Sequence, residues 1–220
     1  MNRYPINYQT FKETPFMGVA IELANKNPNS ICQIAISYIS EKTTLKGLVW
    51  NVKPPTNDFS LSTPRGITAE TVRDALPFYK VWDEHIAKIM NWNILAAHYC
   101  NLTMRAIIDS YEQDFDSGRV FPANDIIVYD TYIASKSTLF GLSDYTLKTI
   151  LSHIGSDIDI SSTLNRSMGV ADLLHYLFVK NSVLVGYPKI MAYAANRHCF
   201  RQWVDCIDDD YGLQGDPCLG

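Results

Sequence analysis

The sequence predicts an α/β fold built on a mixed sheet, and the order of its strand-like and helix-like segments supports this prediction. Three strand-like segments come first, at residues 16–22, 31–39 and 44–52, and short apolar runs that end at turn residues are typical of strands. Two further short apolar segments, at 93–97 and 126–129, alternate with segments of helical periodicity. Alternation of this kind is the pattern of a sheet covered by helices.

The stretch from residue 16 to residue 33 is the part around which we expect the rest of the chain to be arranged. Its apolar run ends at the carboxylate of Glu22, and turn-forming residues at 27–30 separate this run from the next strand. This pattern predicts that the two strands form an antiparallel pair. A carboxylate at the end of a central strand is costly to bury unless a metal, a proton or a partner compensates its charge. Glu22 is therefore the first candidate site residue.

We expect one main domain with a shorter segment at each end. The chain has 220 residues, of which 47% are apolar, which is enough for one sizeable core and too little for a second full domain beside it. The main domain spans residues 16–181, with an arm at 1–15 before it and an extension at 182–220 after it. Residues 196–203 of the extension predict a helix.

Composition and charge exclude several classes of protein. The net charge of −4 and the pI of about 5.7 give no overall attraction to nucleic acid, although a local basic groove stays open. The five cysteines include no CxxC pair, as is typical of a reducing compartment, and no uncharged apolar run is long enough to span a bilayer. We therefore expect a soluble, cytoplasmic protein. The spacing of His198, Cys199, Cys206 and Cys218 matches no usual zinc pattern.

Three helices have clear sequence signals. Residues 69–72 predict the start of a helix with Thr68 as its N-cap. Residues 143–154 predict an amphipathic helix that stops at Gly155. Residues 78–90 predict a third helix, whose sheet-facing residues would be Val81, Trp82, His85, Ile86 and Ile89.

Short motifs between residue 16 and about residue 180 resemble those of a known enzyme family. In chain order the passages are FMGVAIELAN with SICQIA, RGIT, NILAAHYCNLT, the Asp130-Thr131 pair, and NRSMGVA. Together they resemble the DEDD-type (DEDDh) 3′–5′ exonucleases of the ribonuclease H-like superfamily, the family of the proofreading subunit of bacterial DNA polymerase III. The resemblance implies a ribonuclease H-like mixed sheet, with three antiparallel strands followed by parallel strands, flanked by helices. The C-terminal extension lies beyond the part of the chain that the resemblance covers.

The resemblance also implies where a catalytic site would lie, and most of its positions lack the required group. Active members hold two divalent metal ions with four carboxylates and use a histidine as general base. In this chain most of the corresponding positions hold alanine, threonine, asparagine or valine. Alanine and valine cannot bind a metal, a threonine hydroxyl is a poor ligand, and asparagine cannot accept a proton near neutral pH. Only one carboxylate is retained, so we expect no catalytic residue, no metal and no cofactor. The corresponding positions are Ala20, Glu22, Thr103, Asn165 and Val170.

Residues near these positions would serve a protein that binds nucleic acid without cutting it. Arginine can pair with phosphate, and tyrosine can stack on a base. The candidate nucleic-acid-binding residues are Leu23, Arg65, Gly66, Ile67, His98, Tyr99 and Arg166.

These observations predict a catalytically inactive exonuclease-fold protein, which acts as a protein-binding scaffold or as a passive binding module for single-stranded nucleic acid. The alternative is an active metal-dependent 3′–5′ exonuclease that uses Mg²⁺ or Mn²⁺ on rearranged ligands, drawn from Glu22, His98, Asp130 and Asp172. Asp130 also has a simpler interpretation as the N-cap of a helix that begins at Thr131. We expect a protein partner and no membrane association, and a homodimer stays open because family members often pair.

Overall fold

The structure is a computed structural model that describes a large part of the chain in several stretches. The described residues are 16–39, 46–90, 94–113, 118–122, 127–179 and 189–190. The predictions for the arm at 1–15, for a helix at 196–203 and for the C-terminal histidine and cysteines lie outside them.

Within the described residues the sheet has six strands, in the order β3-β2-β1-β4-β5-β6. Neighbouring strands among β1, β2 and β3 are antiparallel, while β4 and β5 run parallel to β1. This arrangement confirms the predicted mixed α/β sheet. One short strand, β6, was not predicted: it comes from the C-terminal extension and pairs antiparallel with β5. The strands are β1 (Phe16–Leu23), β2 (Ile31–Ile39), β3 (Lys46–Asn51), β4 (Ile94–Ala97), β5 (Ile127–Asp130) and β6 (Lys189–Ile190).

Helices cover both faces of the sheet. In β1, Met17 and Val19 belong to the core cluster that contains Trp82 and Met104 from the helices of one face. Phe16 belongs to the second cluster, with Val170 of the opposite face. Since side chains alternate along a strand, Glu22 lies on the same face as Phe16. The helices are α1, which runs through Phe78–Val81, Trp82–Ile86 and Ala87–Ile89, then α2 (Cys100–Tyr111), α3 (Thr131–Thr138), α4 (Leu147–Ile154) and α5 (Thr163–Val179).

The predicted helix start at residues 69–72 is wrong. This part of the chain forms turns, because the Thr71 hydroxyl accepts a hydrogen bond from the Thr68 N–H at 2.9 Å and donates one to the Thr68 carbonyl at 2.8 Å. A threonine that bonds to nearby backbone in this way competes with helix formation. Pro77 then disfavours a helical conformation at the residue before it.

Two other helices differ in detail from their predictions. In α1, Val81, Trp82 and Ile86 are buried as predicted, but His85 is exposed. The reason is a wider π-helical turn at Trp82–Ile86, which shifts the side chains away from regular α-helical spacing, and the His85 ring lies 6.1 Å from that of Trp50. Helix α4 begins at Leu147 and not at 143, and it ends at Gly155 as predicted.

Helix α5 packs very closely on β1 at Gly18. A Cβ at this position would lie 2.6 Å from the Ser167 carbonyl oxygen and 3.0 Å from the Ala171 nitrogen. Ser37 lies opposite Gly18 in the β1–β2 pair, and its hydroxyl is 2.6 Å from the Ser167 hydroxyl in the same buried interface. The absence of a side chain at Gly18 therefore sets how near α5 comes to the strand that carries Glu22.

No helix in the described stretches is both long enough and apolar enough to cross a membrane.

We predict that Gly18→Ala lowers the free energy of unfolding by about 2 kcal/mol, because the added methyl group meets backbone atoms that cannot move aside. Chemical denaturation measures this change. Gly141→Ala is the control: Gly141 has a positive φ of 81° but open space around its Cβ position, so only backbone strain of about 1 kcal/mol is expected. A Gly18→Ala protein as stable as the parent would contradict the close packing.

Candidate functional site

Glu22 is held at the end of β1 and is completely buried, with 0% of its side chain exposed. Glu22 is opposite Gln33 in the β1–β2 pair, and the pairing of the two strands becomes irregular directly after Glu22. The Cys32 thiol donates a hydrogen bond to the Glu22 carbonyl at 3.4 Å. The sheet thus fixes the direction of a carboxylate that has no contact with solvent.

Arg65 reaches this carboxylate from the loop that follows β3. A 3₁₀ turn at Thr63–Arg65 ends at Gly66, which has a positive φ of 77°, and the Ser62 hydroxyl donates to the Ile67 carbonyl at 2.9 Å. These bonds hold the loop in place, and the Arg65 Nη1 atom lies 2.6 Å from Glu22 Oε1.

Arg166 reaches the same carboxylate from the first turn of α5. Its Nη2 atom donates to Glu22 Oε2, to the Ile21 carbonyl at 3.2 Å and to the Thr163 hydroxyl at 3.4 Å. Each oxygen of the buried carboxylate is therefore paired with a different guanidinium group. These three residues, Glu22, Arg65 and Arg166, are referred to below as the Glu22 cluster.

The Glu22 cluster solves the electrostatic problem of a buried carboxylate without a metal. Moving an unpaired carboxylate out of water is strongly unfavourable, and charge-assisted hydrogen bonds to guanidinium groups offset that penalty. The two arginines carry two positive charges against one negative charge, so the cluster has a net charge of about +1. It combines both arginines that the sequence nominated for phosphate pairing with the one retained family carboxylate.

The other residues that the resemblance matched to the family site carry no carboxylate. Ala20 lies opposite Ala35 in the β1–β2 pair, Thr103 and Val170 are buried, and Asn165 is half-buried in α5. In the part of the chain that the structure describes, no group of three His, Cys, Asp or Glu side chains could hold a metal ion. The donor set beside Glu22 is a pair of cations and does not fit a two-metal centre.

His98 and Tyr99 lie in an aromatic cluster at the C-terminal end of β4. The His98 Nε2 atom is 2.9 Å from the Tyr145 carbonyl oxygen and Nδ1 is 3.1 Å from the Thr131 hydroxyl. Tyr99 has a positive φ of 59°, and its ring centre lies 4.5 Å from that of Tyr132. Burial raises the pKa of Tyr99 and lowers the pKa of His98 to about 4. Base stacking on Tyr99 stays a prediction and would require this cluster to open.

The other nominated residues lie around the Glu22 cluster. Leu23 and Ile67 are buried, whereas Gly66 is exposed beside Arg65. The interpretation of Asp130 as an N-cap is confirmed, because its carboxylate accepts hydrogen bonds from the Tyr132 and Ile133 N–H groups at the start of α3. Its second oxygen accepts from the Cys100 N–H at 3.0 Å, which also ties α3 to the start of α2.

The sequence indicated all three members of the Glu22 cluster but not their pairing. A compensating partner was expected for Glu22, and both arginines were expected to pair with an external phosphate. The signal that could have found the pair is that Glu22, Arg65 and Arg166 were all candidates for one site, where a buried carboxylate needs a cation.

Solved structures show what this fold is similar to. A 3′-exonuclease that recognises the 3′ end of the histone mRNA stem-loop superimposes with a TM-score of 0.66 at 17% identity, over 82% of this chain and 68% of that chain. The chain has the fold of the DEDD-type 3′–5′ exonucleases. Exonuclease X bound to 5′-overhanging duplex DNA gives a TM-score of 0.51 at 13% identity, over 77% of this chain and 93% of that one.

Another structure with the exonuclease fold is the RNase domain of the yeast Pop2 protein, with a TM-score of 0.52 at 12% identity over 79% of this chain and 81% of that one. These likenesses confirm the predicted fold and its family resemblance. No protein-family model matches the sequence, and no curated protein matches it.

We predict that Arg166→Ala lowers the free energy of unfolding by about 3 kcal/mol, because it removes a guanidinium partner from a buried carboxylate. Adding Glu22→Gln to that variant should restore part of the loss by removing the charge. Arg73→Ala is the control, since Arg73 pairs with Glu70 on the surface and should change stability by less than about 0.5 kcal/mol. Equal effects of Arg166→Ala and Arg73→Ala would show that the cluster is not a buried ion pair.

His98 generates a pH-dependent contribution to stability. Its pKa in the folded protein is lowered from 6.5 to about 4, so protonation favours the unfolded chain and stability is lost as pH falls below the unfolded value. Between about pH 6.5 and about pH 5 the loss should reach about 2 kcal/mol. Denaturant unfolding of the parent and of His98→Gln over this range measures it, and a slope that is the same in both proteins would refute the assignment.

Proposed function

We propose that this protein keeps the exonuclease fold but does not hydrolyse nucleic acid, and that it acts by binding. The observation that carries the proposal is the Glu22 cluster. The single carboxylate that matches the family's metal site is completely buried and pairs with Arg65 and Arg166.

Electrostatics explains why such a site does not favour catalytic metals. Two unit charges 4 Å apart interact by about 4 kcal/mol at an effective dielectric constant near 20. A divalent cation placed beside Glu22 would meet two guanidinium groups of the same sign. Among the described residues it would also find no cluster of additional carboxylates such as a two-metal mechanism uses to hold its ions and position the attacking water.

The alternative, an exonuclease with rearranged ligands, would require several side chains to leave their present partners. Asp130 caps α3 and accepts a bond from the start of α2. His98 has both ring nitrogens within hydrogen-bonding distance of Thr131 and Tyr145. Asp172 is half-buried on α5. These contacts support the non-hydrolytic proposal over the rearranged one.

The exposed apolar side chains of the outer strand β3 support the proposal that the protein binds another protein. Within the described residues β3 is the last strand on its side of the sheet, and its Leu48 and Val49 are 44% and 43% exposed. Large apolar side chains on an outer strand are features that proteins commonly cover by binding another chain. The cysteine usage further leads us to infer a cytoplasmic location.

We predict that the protein leaves end-labelled single-stranded DNA and RNA intact in Mg²⁺ or Mn²⁺, because the described stretches of the chain contain no cluster of side chains that could hold the ions and activate water. Gel analysis of the labelled strands measures this. Glu22→Gln is prepared in parallel as the matched control. Stepwise shortening of the strand by an activity that co-purifies with the folded protein would overturn the proposal; loss of that activity in Glu22→Gln would place the reaction at Glu22, and its retention would place it at rearranged ligands.

A further inference from the structure

We propose that β3 pairs antiparallel with β3 of a second copy of this chain, so that the two sheets join into one across a two-fold axis. This inference rests on the proposed function, because it names the partner for the surface that the proposed function assigns to protein binding. In the register that the observations favour, Val49 lies on the axis, opposite Val49 of the partner subunit.

The outer side of β3 presents backbone hydrogen-bonding groups at every second residue. Directly after β3, the Val52 N–H donates to the Cys32 carbonyl of β2 at 2.9 Å. In an antiparallel pair, residues that exchange hydrogen bonds alternate with residues that do not, so Leu48 and Trp50 direct their backbone groups towards β2. The residues beside them direct these groups to the side on which the described residues form no further strand. They are Gly47, Val49 and Asn51.

Apolar side chains are exposed on both faces of this strand. Leu48 is 44% exposed and lies on the same face as Trp50, which packs against the core cluster that contains α1 residues. Val49 is 43% exposed and lies on the opposite face, where a Cβ at Gly47 would be 2.4 Å from the Leu164 side chain of α5. A strand that covers both residues with apolar surface needs apolar side chains on both faces at neighbouring positions, and β3 is such a strand.

A two-fold axis perpendicular to the sheet fixes which residues can oppose each other. The rotation keeps each face of the sheet on its own side, so opposing residues must come from the same face. With the axis at Val49, Leu48 lies opposite the partner's Trp50 and Gly47 lies opposite the partner's Asn51. Each pair of residues with outward-pointing backbone groups then exchanges two hydrogen bonds, and Leu48 and Val49 each meet an apolar side chain.

The positions of charge and of glycine also favour this register. The stretch from Gly47 to Asn51 contains no charged side chain, so no like charges oppose each other within it. An axis one residue earlier, at Leu48, would place Lys46 opposite the partner's Trp50 and would place Val49 opposite a glycine. Val49 would then have no side chain across the pair to cover it.

The position of α5 leaves room for the second copy. The start of this helix lies over β3 at Gly47, where Leu164 packs. In the proposed register the two copies of Gly47 are separated along the strands by the distance from Gly47 to Asn51, about 13 Å at about 3.3 Å per residue. A helix with its side chains is about 10–12 Å wide. The starts of the two α5 helices therefore lie beside each other without overlap.

Sedimentation velocity of the whole chain, at concentrations from about 1 µM to about 300 µM, measures the association. The exposed strand is short compared with the interfaces of about 800 Å² per partner that stable complexes use, so we expect a reversible dimer with a dissociation constant in the micromolar range. A protein that stays monomeric over the whole range would overturn the inference.

Opposite charges at Val49 test the register, because only a residue on the axis faces its own copy. Val49→Lys and Val49→Glu should each weaken dimerisation at least about tenfold, since like charges would then oppose each other. An equimolar mixture of the two variants should associate again as a mixed dimer. Phe140→Lys is the control, because Phe140 is 79% exposed in the loop after α3 and its replacement should leave dimerisation unchanged. Self-association of Val49→Lys as strong as that of the parent, or a mixture that stays monomeric, would overturn the pairing at Val49.

Amide hydrogen exchange in the parent protein gives a test that needs no variant. Exchange at Gly47, Val49 and Asn51 should slow as the protein concentration rises through the dissociation constant, because these N–H groups gain partners. Exchange at Leu48 and Trp50 should change little, since their N–H groups already donate to β2. A dimer that leaves the first three amides unprotected would overturn the strand pairing.

Failure of this inference is distinct from failure of the proposed function. Strand cleavage in Mg²⁺ would overturn the proposed function, whereas the sedimentation and exchange measurements contain no nucleic acid and do not depend on it. Binding of a different protein at β3 by a chain that stays monomeric would overturn this inference and would leave the proposed function in place.

Discussion

A carboxylate that is completely shielded from water at the end of a central strand must be neutralised, and in this protein two guanidinium groups neutralise it. The contact joins β1, the loop after β3 and the start of α5, which are distant from one another in sequence. Removing either arginine would leave a buried charge that is only partly compensated, and removing Glu22 would leave two like charges side by side. The geometry of the whole candidate site depends on this one interaction.

The fold creates the conditions for that contact. Gly18 lets α5 approach β1 until backbone meets backbone, which brings the first turn of the helix next to Glu22. The hydrogen bonds of Ser62 and the positive φ of Gly66 hold Arg65 on the other side. The resemblance predicts metal-binding acids around this position, and the structure has two guanidinium groups around one buried carboxylate.

Sequence patterns were sufficient for the sheet because its strands are short apolar runs between turn residues, and the end of the first apolar run placed Glu22 correctly near the end of β1. They failed where a single local feature decides the outcome. The Thr71 hydroxyl bonds to the Thr68 backbone, and turns form where a helix was predicted. A π-helical turn moves His85 to the surface. The pairing within the Glu22 cluster could not be predicted, since it joins Glu22 to two arginines that follow it in the sequence by 43 and 144 positions. The need for a partner was readable from Glu22, but its identity depends on tertiary packing.

The central claim is that Arg65 and Arg166 hold the place beside Glu22 that metal ions hold in an active exonuclease. A crystal structure of the protein grown in millimolar Mn²⁺, with anomalous data collected at the manganese edge, tests this most directly. The account predicts no anomalous peak at the Glu22 carboxylate and both guanidinium groups within hydrogen-bonding distance of it. A manganese ion coordinated by Glu22, with either arginine displaced, would contradict it.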